Sequence, residues 1–174
     1  FLMDVIEGTA TVEDVDAFVA ELGEIGTEYD AAVQAFDARY VVGREHLDRA
    51  VACAERARAQ GEAIADDPAV EILLYAAGRR QISRALEMGV SAGECRVVVV
   101  VHGLADGADG SDKGDESGAA AAVAALLEPG ETLGAYDEDC VRDFFDVSDR
   151  ELAATDAGVP ALVGERVALL SVEK

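Results

Sequence analysis

Lysine is almost missing from this sequence. Of 14 basic residues in 174, only Lys113 and Lys174 are lysines, and they face 36 aspartates and glutamates, for a net charge of −22. The overall basic footprint of a typical nucleic-acid binder is therefore absent. A surplus of carboxylates with arginine in place of lysine fits a salt-rich cytoplasm, where hydrated acids keep a surface solvated although salt screens charges beyond roughly 3 Å at 1 M. Cysteine is scarce as well. Cys53, Cys95 and Cys140 are odd in number and far apart, with no CxxC pair and no Cys/His spacing for zinc. Neither a disulfide framework nor a metal site is indicated, and the thiols are expected reduced and buried as small apolar groups. No apolar run approaches the ~20 residues that a bilayer crossing needs. The opening FLMDVIEGTA carries two acids and no basic n-region, so it does not read as a signal peptide. The expectation is a cytoplasmic protein with no membrane partner.

Nucleophile and cofactor motifs are missing too: there is no GxSxG, P-loop, GxGxxG or HExxH. Only two histidines occur. His46 stands beside Glu45 and near Arg49, a setting that suggests capping or packing, and His102 ends an apolar run with no partner visible in sequence. Acid pairs mean little in a chain with so many acids, and general acid–base work needs a carboxylate whose surroundings shift its pKa. No catalytic residue and no cofactor is assigned. A small hydrolase built on His46 or His102 would need a deep pocket with one of them on its wall.

What is present is periodic. Residues 1–11 read as a strand, 12–22 as an acidic helix, 23–30 as a glycine- and acid-containing loop, and 31–36 as a second strand. From Gly43, Leu47, Ala50, Val51 and Ala54 recur at helical spacing, and Gly61 closes that helix. Asp67-Pro68 opens the next one, with Asp67 as N-cap and Pro68 at the first helical position. Val70, Leu73, Leu74 and Ala77 form its buried stripe; Gly78 interrupts, and a further helix runs to about Met88. Cys95–His102 reads as a strand buried on both faces. Residues 103–118 are of low complexity and expected to form a mobile acidic loop. Their aspartates at 106, 109, 112 and 115 do not match a calcium loop, which alternates ligands at every second residue. Helices follow over 119–127 and 137–145, then a short one begun by the capping box Ser148-x-x-Glu151, then a last one from Pro160. The fold class expected is α/β (α+β): a single compact domain over 1–174, with a small mixed sheet packed against several helices.

Charge is unevenly spread. Between Asp37 and Arg96 lie nine of the twelve arginines and ten acids, a net of −1, whereas the other 114 residues carry −21. That stretch could accept a polyanion that the rest of the surface would repel. Within it, a helical wheel over Arg79–Glu87 puts Ile82, Ala85 and Leu86 toward the core and Arg79, Arg80, Ser83, Arg84 and Glu87 on the opposite arc. Arg79, Arg80 and Gln81 would occupy the first turn, where free N–H groups and the helix dipole favour an anion. Two guanidiniums, an amide and a helix start suit a phosphate or a splayed base. The same spacing equally allows Arg80 and Arg84 simply to pair with Glu87 and nearby acids.

The run VEILLYAAGRRQISRALEMGV (70–90), led by AFDARYVVGREHLDRAVACA and closed by ALVGERVALLSVEK, resembles the kinase-binding small subunit of the KEOPS complex, the PRPK-binding protein family. Glu71, Leu73, Leu74, Arg80, Gln81 and Ile82 carry the most specific part of the likeness. The resemblance implies a non-catalytic subunit of the machine that installs threonylcarbamoyl on an adenosine of tRNA. Such a subunit would bind the complex's small atypical kinase/ATPase and the single-stranded 3′ CCA end of tRNA. By that resemblance, Arg79, Arg80, Gln81, Ile82 and Arg84, with Arg44 as an addition, are the RNA-end candidates. Leu162, Val163, Arg166, Leu169 and Leu170 of the last helix are the kinase-contact candidates. A pure scaffold for the kinase, touching no RNA, is the competing reading.

Overall fold

The structure, a computed structural model, describes residues 3–106, 112–113 and 115–173. In chain order the elements are β1 (Asp4–Val12), α1 (Val15–Tyr29), β2 (Ala31–Asp37), α2 (Arg44–Ala59), α3 (Pro68–Ala77), α4 (Ile82–Ala85), β3 (Gly93–Gly103), β4 (Ala105–Asp106), β5 (Asp112–Lys113), α5 (Glu116–Ala124), β6 (Glu128–Pro129), α6 (Glu138–Phe144), α7 (Asp149–Ala153) and α8 (Gly158–Glu173). Single 3-10 turns cover Ala38–Tyr40 and Leu86–Met88. The elements group into two compact units: residues up to Asp37 with Val90–Thr132, and Ala38–Gly89 with Leu133 onward.

The first unit holds a four-stranded sheet in the order β2-β3-β1-β6. The α+β class follows the expectation, but the sheet is antiparallel at every pairing among the described residues rather than mixed. β3, the longest and most apolar strand, pairs extensively on both edges, with β1 from Asp4↔Val101 to Val12↔Gly93 and with β2 from Ala31↔Gly103 to Asp37↔Val97. Val97, Val99 and Val101 point into a core with Val12, Val33 and Ala35 of the neighbouring strands, Leu22 and Ile25 of α1, and Ala119 and Val123 of α5. Val98 and Val100, on the other face of the strand, are equally inaccessible. The valine run is thus buried on both faces, as its unbroken apolarity implied.

Two local departures have clear causes. α1 continues through the segment expected as a loop at 23–30. Gly23 and Gly26 lie inside it, and a Cβ at Gly26 would fall 2.7 Å from the Ala31 carbonyl, so this glycine admits the start of β2 rather than breaking the helix. The helix starts on Asp14, whose carboxylate takes the Ala17 N–H, and ends on Asp30 in the left-handed conformation. Part of the expected acidic loop is regular: β3 runs to Gly103, β4 pairs with β5, and Asp115 caps α5 through the Gly118 N–H. The rest of that loop, 107–111 and 114, lies outside the described residues. On the far edge β6 approaches so closely that a Cβ at Gly8 would meet the Glu128 carbonyl at 2.5 Å.

The second unit is helical. α2 packs against α3 and α8, and α3 against α8. α2 presents Leu47, Ala50, Val51, Ala54 and Ala57 inward, a stripe at 3.6 spacing. α3 begins as expected, with Asp67 accepting from the Ala69 N–H and Pro68 at its first turn. Every residue from Glu71 to Ala77 is buried, so α3 is a core helix rather than one with a single stripe. Glu71, fully inaccessible, bends its carboxylate back to the loop before the helix and accepts from the Ile64 N–H (3.0 Å to each oxygen) and the Ala65 N–H (2.8 Å). Ser148 caps α7 through the Glu151 N–H, completing half of the capping box. Among the described residues no helix is long and apolar enough to cross a membrane.

Candidate partner-binding surfaces

α3 ends in a Schellman motif: Gly78 adopts φ +62°, its N–H reaches the Tyr75 carbonyl, and the Arg79 N–H reaches the Leu74 carbonyl. The chain leaves the helix here, so Arg79, Arg80 and Gln81 do not form the first turn of the next one. α4 starts at Ile82 and has four residues before the 3-10 turn. The wheel drawn from the sequence therefore needs correction. Ala85 is buried, as expected, and Met88 joins it, but Ile82 and Leu86 are 48% and 57% exposed. A segment of barely two turns between two glycines can turn only one row inward, and Ala85/Met88 take it. Arg80, Gln81, Ser83, Arg84 and Glu87 are exposed beside the two apolar side chains.

Arg79 is the exception in this group. Its guanidinium donates to the Phe144 carbonyl, stacks on the Phe144 ring at 5.1 Å from the centroid, and lies 4.0 Å from the Asp146 carboxylate. Arg44 stands at the start of α2, whose N-cap, Gly43, offers no side chain, and pairs at 3.8 Å with Asp48. It lies on the rim of a cavity of about 450 Å³ lined by Val42–His46, Arg49 and, from α8, Pro160, Ala161 and Gly164.

His46 is on the wall of that cavity, but the imidazole is not available for proton transfer. It is buried, Nδ1 accepts from the Val42 N–H at 3.3 Å, and Nε2 faces the Ala76 carbonyl at 2.8 Å, which fixes the proton on Nε2. Burial, opposed by the Ala76 hydrogen bond, lowers its pKa from 6.5 to about 4. His102 is buried in β3 opposite Ala32.

The kinase-contact candidates on α8 divide sharply. Leu162, Val163 and Leu170 are buried with Val167 in the core of the helical unit. Leu169 is 49% exposed, and Val172, one turn further on, is 77% exposed. Arg166 forms a two-point ion pair with Glu151 (2.6 and 2.7 Å) and donates to the Phe145 and Asp146 carbonyls. Those hydrogen bonds hold the Glu151 carboxyl below its usual range and raise the Arg166 pKa. Leu86 was expected to face the core and Val172 was not singled out; exposed apolar residues on short or uniformly apolar helices leave no periodic mark.

Exposed aliphatic groups such as Ile82 and Leu86, set beside Arg80 and Arg84, are the kind of patch that a binding partner can cover. The comparison with protein families agrees: the family model for the kinase binding protein CGI-121 matches residues 11–171, and the chain belongs to that family. A search of curated proteins gave no match.

Proposed function

We propose that this protein is a non-catalytic subunit of the KEOPS tRNA-threonylcarbamoylation complex in a salt-rich cytoplasm. It holds the complex's small kinase/ATPase and captures the single-stranded 3′ CCA end of tRNA. Kinase binding is the property of the family; the complex and the RNA are the further steps. The observation that carries the RNA reading is the exposed pair Ile82 and Leu86, one turn apart, with Arg84, Arg80 and Gln81 around them. Aliphatic groups can take the faces of unstacked bases while guanidiniums and an amide meet phosphates and base edges. Arg44, at the uncapped start of α2, is a second phosphate contact in this reading. For the kinase, Leu169 offers the exposed apolar contact on α8, while Leu162, Val163, Leu170 and Arg166 shape the helix from within.

With a net charge of −22 and salt near molar, counterion release supplies little affinity, so base contacts and linkage within the complex must supply it. The test compares intact tRNA with tRNA lacking its 3′ CCA, using wild type, Ile82→Asp and Arg84→Ala. Only intact tRNA should bind, about tenfold more weakly to either variant, a loss equivalent to one good contact. Equal binding of both RNAs would leave the pure scaffold as the answer. Leu169→Asp should weaken the kinase and spare the RNA.

A further inference from the structure

The carbonyl end of α6 is fully accounted for, and the accounting involves two arginines from elsewhere. Asp146 adopts φ +55°, the left-handed position that ends the helix. The Val147 N–H then returns to the Arg142 carbonyl and the Asp146 N–H to the Asp143 carbonyl, a second Schellman motif. The next three carbonyls, Phe144, Phe145 and Asp146, have no partner from the helix itself. Arg79 takes the first, and Arg166 takes the other two at 2.9 and 3.0 Å. The negative end of a helix dipole favours cations at this place, and the Phe144 ring beneath Arg79 adds a cation–π contact. Arg79 is therefore tied twice, by its backbone N–H to the end of α3 and by its guanidinium to the end of α6.

We infer that Arg79 is a positioning residue, which anchors the exposed Arg80–Glu87 segment to the carbonyl end of α6 and so sets the shape in which that segment meets its ligand. The segment needs such an anchor. Its only regular structure is α4 and the start of one 3-10 turn, and within it Ala85 alone is buried. An arginine bound this way acts on RNA through the fold and not through its charge. The binding arm of the test rests on the RNA-end reading above; the exchange arm does not.

The experiment uses the full chain with Arg79→Met, which keeps the apolar stem and loses every donor. Hydrogen exchange of the Arg84 and Ala85 amides, both bonded to the Gln81 carbonyl, should become about tenfold faster, the loss of one charged hydrogen bond. Affinity for a short single-stranded RNA ending in CCA should fall about tenfold, while the slope of log K against log salt stays as in wild type. Arg84→Ala should instead lower that slope by about 0.7, the value for one phosphate contact on a single strand. Unchanged exchange at these amides in Arg79→Met overturns the inference, and so does a slope lost as in Arg84→Ala. Should Arg79→Met not fold, the same arms are read on Arg79→Gln, which also removes the charge, so a weaker complex at unchanged slope again means positioning. If wild type binds no such RNA, the RNA-end reading fails, and the exchange result still decides the role of Arg79.

Discussion

Replacing Glu71 tests the helical unit at its least forgiving point. The side chain has no accessible surface, and its carboxylate is the acceptor for two backbone donors, Ile64 and Ala65, in the loop that leads into α3. Glu71→Gln keeps the size and one carbonyl oxygen. It also turns the other oxygen into an NH2 facing the Ile64 N–H at a site now spaced 3.0 Å. Exchanging charge-assisted for neutral hydrogen bonds and opposing two donors should cost about 1–2 kcal/mol. Glu71→Ala leaves both N–H groups without an acceptor and opens space in a packed helix. At about 1–3 kcal/mol per stranded donor, partly offset because no carboxylate remains to be desolvated, about 3 kcal/mol is expected. For a chain of this size that corresponds to a melting temperature lower by roughly 6–12 °C. Removing an acid from so acidic a chain also relieves repulsion, so Glu24→Gln, on the exposed face of α1, supplies the charge control. Thermal and denaturant unfolding give the ranking, and hydrogen exchange at Ile64 and Ala65 locates the damage. If both Glu71 variants unfold within about 0.5 kcal/mol of the control, a typical spread for neutral surface changes, the carboxylate does not hold this loop.

His46 makes a pH prediction. With a pKa of about 4 in the fold against 6.5 outside it, the unfolded chain takes up a proton between these values that the folded chain refuses, so stability falls as pH is lowered through that window. The loss between pH 7.5 and pH 5 should be about 2 kcal/mol from this residue, and His46→Gln should show a correspondingly flatter profile in denaturant melts; an identical profile would refute it. Gly8→Ala should cost about 1–3 kcal/mol by overpacking, because its Cβ would collide with the Glu128 backbone. An unchanged midpoint would mean that β6 can retreat freely.

What could be read from the sequence is what short-range physics decides. The valine run fixed the central strand, Leu47 to Ala54 fixed α2, and Asp67-Pro68 marked the start of α3 because a cap and a missing N–H act within one turn. Long-range requirements were invisible. Gly26 reads as a breaker until the Ala31 carbonyl is seen against it. The segment after Gly78 reads as a helix from Arg79, but that guanidinium is claimed by a carbonyl 65 positions away, and the exposed row moves with it. α8 is apolar on nearly every side, so no periodicity distinguished buried Leu170 from exposed Leu169. The family resemblance singled out segments of chain; only packing could say which of their atoms remain available.

The place of β3 has a consequence for synthesis. β1 and β2 do not pair with each other; each is hydrogen-bonded to β3, which follows them by more than fifty residues of chain. A nascent chain emerging from the ribosome thus carries two unmatched apolar strands until Gly93–Gly103 has been made, while α2 and α3 can already form from local contacts. Any pause in translation before that point would prolong the interval in which those edges are open to other chains.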